Sequence, residues 1–133
     1  MRKKVVYATK TKISLAKLNF ELRVKNIFDC MERIQKLKEF LTQNPGDNFL
    51  QHALALEYSK IGDDAGARQL FEEILTRDPG YVGSYYHLAK LLERIDDIPA
   101  AILWYEKGMA AAKKANDLHA LGELRSAYEE LTF

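Results

Sequence analysis

Residues 54–72 read LALEYSKIGDDAGARQLFE, and residues 88–106 read LAKLLERIDDIPAAILWYE. The second stretch returns the marks of the first at a spacing of 34 residues. Leu54 and Ala55 come back as Leu88 and Ala89. Ile61, Asp63 and Ala67 come back as Ile95, Asp97 and Ala101, and Phe71 and Glu72 as Tyr105 and Glu106. Each unit reads as two amphipathic helices joined by a short turn. Such a unit cannot bury its apolar face alone, so it stacks on copies of itself. The expected fold is all-α: an αα-hairpin superhelix of about six helices in three stacked hairpins.

Working outward, the pattern is helical from Met31. Ile34, Leu37, Phe40 and Leu41 share one face, and Asn44-Pro45-Gly46 stops the helix. Asp47 caps a second helix whose stripe is Leu50, Leu54, Tyr58 and Ile61, ended by Gly62. Asp63 caps a third, with Ala67, Leu70, Phe71, Ile74 and Leu75 inward, and Asp78-Pro79-Gly80 breaks the chain. The fourth carries Tyr85, Leu88, Ala89, Leu92 and Ile95. Asp97 caps the fifth, Pro99 sits in its first turn, and Ala101, Ile102, Trp104, Tyr105 and Met109 follow. The sixth spans 118–131 with Leu121, Leu124, Tyr128 and Leu131. Gly and Pro punctuate too often for a heptad coiled coil.

Residues 1–30 differ in kind. They hold eight Lys or Arg against Glu21 and Asp29, a net of 8 − 2 = +6, whereas residues 31–133 carry 12 − 17 = −5. They show no helical stripe; Leu18, Phe20, Leu22 and Val24 alternate with polar residues at the period of a strand. A lone strand beside helices has nothing to pair with. Three readings stay open: a disordered basic arm, a segment folded onto the body or extending the array, or a non-native start with Met31 as the true first residue.

Bulk properties exclude several classes. A composition of 47% hydrophobic and 29% charged residues is that of a globular domain. The single cysteine, Cys30, permits no disulfide within the chain and suits a cytoplasmic location. No apolar run reaches membrane-spanning length, and the stretch Val5–Ala8 is too short for a signal peptide's core. The acidic body argues against nucleic acid as the main target.

The pattern resembles the tetratricopeptide repeat, in its small bacterial form. The marks at 48–81 are Leu54-Ala55, Tyr58, Gly62, Ala67, Phe71 and Pro79. Those at 82–115 are Tyr85, Leu88-Ala89, Leu92, Ala101 and Tyr105, with Asp96 in place of Gly and Lys113 in place of Pro. Without that proline the fifth helix is expected to run longer, through Ala110–Ala112. Residues 31–47 read as a partial upstream repeat and 118–131 as a capping helix, two residues late in phase.

The resemblance implies a concave groove lined by the first helix of each repeat. It implies Phe49, His52, Ala53, Leu56 and Lys60 from one repeat, Tyr86, His87, Lys90 and Arg94 from the next, and His119, Glu123 and Ser126 from the last helix. Phe49 and Leu56 are apolar where the core does not need them, which suits a binding patch. Chaperone-tail-binding members hold a carboxylate with Lys, Asn and Arg. The matching positions here, His52, Leu56, His87, His119 and Glu123, carry none of these, so chaperone tails are not the expected ligand.

No catalytic set emerges: Ser84 and Ser126 lack evident His–Asp partners, and no phosphate-cradling loop is present. No histidine pair has metal-ligand spacing. Trp104 reads as core packing between hairpins. The expected function is a non-enzymatic, cofactor-free adaptor that binds a peptide or helix of another protein. The alternative is a self-association module, a homodimer through the ends of the array. An arm of +6 folding into the groove of a −5 body is a further expectation for residues 1–30.

Overall fold

The computed structural model describes the backbone from Arg2 and the side chains from Ser14 onward. The most basic part of the expected arm, Arg2 to Lys12, therefore lies outside the described side chains. Six helices follow one another: α1 (Arg2–Gln43), α2 (Asn48–Lys60), α3 (Asp64–Arg77), α4 (Gly83–Arg94), α5 (Ile98–Lys114) and α6 (Leu118–Thr132). Each packs mainly on its neighbours in sequence, and α4 also touches α2 and α6. Among the described residues no helix is long and apolar enough to cross a membrane.

The helix starts are local chemistry. The side chains of Asp47, Asp63, Asp97 and Asp117 each accept a backbone N–H three residues on. The turns between α2 and α3, α4 and α5, and α5 and α6 share one device. A residue with positive φ (Gly62 at 85°, Asp96 at 64°, Asn116 at 56°) precedes the capping aspartate. That aspartate's N–H then donates to the carbonyl five residues back, on Tyr58, Leu92 and Ala112.

The core is built on small residues at helix crossings. Ala55, Ala67, Ala89 and Ala101 have no accessible surface, so α2 meets α3 and α4 meets α5 at close range. Phe71 and Tyr105, 34 residues apart, fill the space beyond them. On α5, Gly108 admits α4 and α6 together: a Cβ there would stand 2.7 Å from Tyr85 Cβ and 3.2 Å from Leu124 Cδ1.

Three expectations need correction. The segment 18–25 is helical, not strand-like, and α1 is continuous across Met31, where a helix start was expected. Phe20, Val24, Ile27, Met31 and Ile34 recur at 4-3-4-3 spacing, and no Gly or Pro precedes Pro45, so nothing stops the helix. Packing begins only at its C-terminal part, where Cys30 and Ile34 are buried, while Leu15, Leu18, Phe20 and Phe28 are exposed. Finally, Phe40, Ile61 and Ile95, expected inward, are exposed, because the latter two stand in the turns and Phe40 in the last turn of α1.

Ala67→Leu will overpack the α2–α3 crossing and lower stability by about 1–3 kcal/mol, read as a shift in the urea midpoint. Gly108→Ala gains helix propensity but forces Tyr85 Cβ, which cannot swing away, so a net loss of about 1–2 kcal/mol is expected in the same assay.

Candidate functional site

The first helices of successive hairpins, α2, α4 and α6, each bring one histidine to the same face. His52 lies on α2, half-buried. Its ring meets Phe71 edge-on at 5.5 Å, Tyr81 at 5.8 Å and His87 of α4 at 5.2 Å. His87 lies nearly parallel to Phe71, 6.3 Å away, and edge-on to Tyr86 at 5.8 Å. Glu123 of α6 acts on His87 through its charge and bonds His119 Nε2 at 2.8 Å. His52 and His87 thus meet across α2 and α4, while Glu123 and His119 pair on α6, with the Glu123 charge felt at His87. Lys90 stands beside these rings, with Nζ 5.8 Å from the Tyr86 ring centre and 3.4 Å from Glu93.

Other residues of the expected groove are placed differently. Lys60 bonds Glu57 Oε1 at 3.1 Å, on the side facing α1. Arg94 is held at the hairpin ends by Ser59 and Asp64. Phe49 is 71% exposed at the start of α2, and Leu56 is half-buried against the core. Ser126 is exposed on α6, and Ala53 is half-buried on α2.

Two polar contacts escaped the sequence reading. Ser84, for which no partner was expected, has its Oγ 2.8 Å from His52 Nδ1. This serine has no accessible surface, and among the described residues no carboxylate bonds His52, so the hydroxyl holds the imidazole in place. Glu57 is buried between α1 and α2, bonded by Arg33 Nε at 3.0 Å. Burial raises its pKa, but hydrogen bonds from Arg33 and Lys60 to Oε1 help outweigh this and leave it below the usual carboxylate range. The signal was present: the position 34 later is the buried Leu91.

Burial, with the neighbouring His87 second, pushes the His52 pKa down from 6.5 to about 4. Burial also lowers that of His87, against the opposing charge of Glu123. Both rings are therefore neutral at pH 7. These two rings can stack on apolar or aromatic groups and exchange hydrogen bonds without carrying charge, and the Glu123 carboxylate stands beyond them on α6. Among the described residues no three His, Cys, Asp or Glu side chains converge as metal ligands.

Stacked helix pairs with a polar–aromatic band along the first helices define a helical-hairpin repeat protein. No family model matches the chain, and no curated protein matches it. Solved structures do. The tetratricopeptide repeat domain protein from Salinibacter ruber, in solution, is 41% identical, over 65% of this chain and 88% of that one, with a TM-score of 0.63. Its crystal structure gives 41% identity over 65% and 97%, with a TM-score of 0.62. The chain belongs to the tetratricopeptide repeat family. The TPR2B domain of yeast Sti1, solved as its complex with pHsp70, shares the fold at 15% identity, over 78% of this chain and 83% of that one, with a TM-score of 0.73.

The depressed His52 pKa sets a pH dependence. The folded state keeps the ring neutral while the unfolded chain takes up a proton near pH 6.5. Stability is therefore full above pH 6.5 and falls as the pH drops from there toward 4. After allowing for the ring's partial exposure, the loss is on the order of 1–2 kcal/mol. Thermal melts at pH 7 and pH 5 will show it, and His52→Gln will shrink the difference.

Proposed function

We propose that the protein is a non-enzymatic adaptor that binds a peptide or helix of a partner protein in its concave groove. The observation that carries this reading is the run of contacting rings His52, His87 and Tyr86. It offers ring faces and edges to an apolar side chain, on the packed helices α2 and α4. Phe49 and Leu56 extend the apolar contact along α2. Lys90 and His119 tune charge at the rim, and Lys60 and Arg94 frame the groove from its α1 side and hairpin end. A protein partner is in keeping with Sti1, whose TPR2B and TPR2AB domains were solved as complexes with pHsp70 and pHSP90. The Lys, Asn and Arg expected of a carboxylate clamp are replaced here by His52, Leu56, His87, His119 and Glu123, so the partner is not a chaperone tail. The adaptor works in the cytoplasm and needs no cofactor. Residues 31–133 are the binding body, with repeats at 48–81 and 82–115, and residues 1–30 are an extension of it.

A homodimer through the array ends is the second reading. It is favoured by apolar side chains left open at both ends, Leu18, Phe20 and Phe28 on α1 and Leu118 on α6.

The full chain, immobilised and exposed to a lysate of its source cell, is expected to retain a partner that Tyr86→Ala/His87→Ala retains at least about tenfold less. Equal retention by both moves the interface off the groove. Light scattering on the free chain tests the second reading, which a monomer at all concentrations rejects.

A further inference from the structure

The helix α5 outruns its counterpart. α3 and α5 hold the same place in successive hairpins, yet α3 stops at Arg77 and α5 continues to Lys114. The cause is one residue: Lys113 stands 34 positions after Pro79, so no ring breaks the helix there. The added turn rises beside the end of α3 without packing on it. Between the two lies an open cleft of about 740 Å³, within the size range of ligand sites.

The cleft is built from few parts. Its floor is Tyr85, whose hydroxyl donates to the Pro79 carbonyl at 2.6 Å. Leu75 and Pro79 form one wall, and Trp104 and Ala111 the other. Trp104, expected as core packing, is only half-buried; its ring is tilted against Tyr85 at 6.0 Å and opens onto the cleft. Alanines at 110, 111 and 115 leave space that longer side chains would fill. Lys107 and Lys114 stand at the rim, Lys107 with its Nζ 4.6 Å from the Trp104 ring centre. Among the described residues neither lysine has an ion-pair partner, and no carboxylate lines the cleft. This is a cationic, aromatic spot on a body whose net charge is −5.

We propose that this cleft is a second binding site, for an acidic peptide segment of a partner protein that carries an aromatic or aliphatic anchor. The anchor lies against Trp104 and Leu75, and its flanking carboxylates meet Lys107 and Lys114. The two lysines are two helical turns apart, roughly 10 Å, the span of three residues of extended chain. Its walls come from the second helices α3 and α5, whereas the histidine band lies on the first helices. The inference therefore stands apart from the groove reading.

Trp104 is the only tryptophan, so its emission reports this site alone. The probe is the peptide acetyl-GEFLEG-amide, titrated into the full chain. A saturable change in emission below about 1 mM is expected, at least about tenfold weaker for acetyl-GQFLQG-amide and for Lys107→Glu/Lys114→Glu. Ala110→Leu, an exposed position whose added side chain fills the cleft, is expected to weaken it equally without a change of charge. Tyr86→Ala in the concave groove is expected to leave it unchanged. The proposal is overturned by any of three results: no saturable change up to about 5 mM, equal binding of the uncharged peptide, or binding that survives both cleft variants. Loss in Tyr86→Ala with retention in the cleft variants assigns the peptide to the groove instead.

Discussion

Four alanines set the distance between paired helices, and the rest of the stack inherits that distance. Ala55 with Ala67, and Ala89 with Ala101, are wholly buried at the two crossings. A larger side chain at any of them would push the helices apart, because interiors are packed as tightly as organic crystals. Phe71 and Tyr105 then fit the space that the crossings leave. Tyr105 can be buried because its hydroxyl reaches Glu93; burial and that carboxylate together hold its pKa well above the usual phenol range. How far His52 stands from His87 is set one level up, by the packing of α4 on α2 and α3.

The five helices after Gln43 were legible because their signals are local. An aspartate cap, a positive-φ residue or a proline marks each boundary, and the apolar stripe between is short. The longer α5 was legible too, from the missing proline at 113. The helix α1 was not. Its residues Leu18, Phe20, Leu22 and Val24 satisfy a period of two while Phe20, Val24, Ile27 and Met31 satisfy a helical one. With no glycine or proline to arbitrate, local pattern cannot choose, and helix continuity from the packed end decides.

The candidate groove was legible in part, for a related reason. Repeat register places the three histidines on one face, and the structure brings His52 against His87 and pairs Glu123 with His119. Register says nothing of how far a long side chain reaches. Lys60 and Arg94 therefore find partners at helix ends, Glu57 and Asp64. The bond between His52 and Ser84 joins different hairpins, and only the superhelical offset between them makes it. Glu57 showed itself as a charge at a core position, but its partner Arg33 lies in the partial repeat, where no full 34-residue register places it.

The turns have a further consequence. The structure uses one turn three times, around Gly62, Asp96 and Asn116, and the third joins α5 to α6 although that junction lies outside the 34-residue phase. The bends within hairpins, at Gly62 and Asp96, thus share one connector, and the joint between α5 and α6 reuses it. Since each hairpin touches only its neighbours, one could be copied or removed without inventing new joints. The length of the array is free to vary in evolution while its local geometry stays fixed.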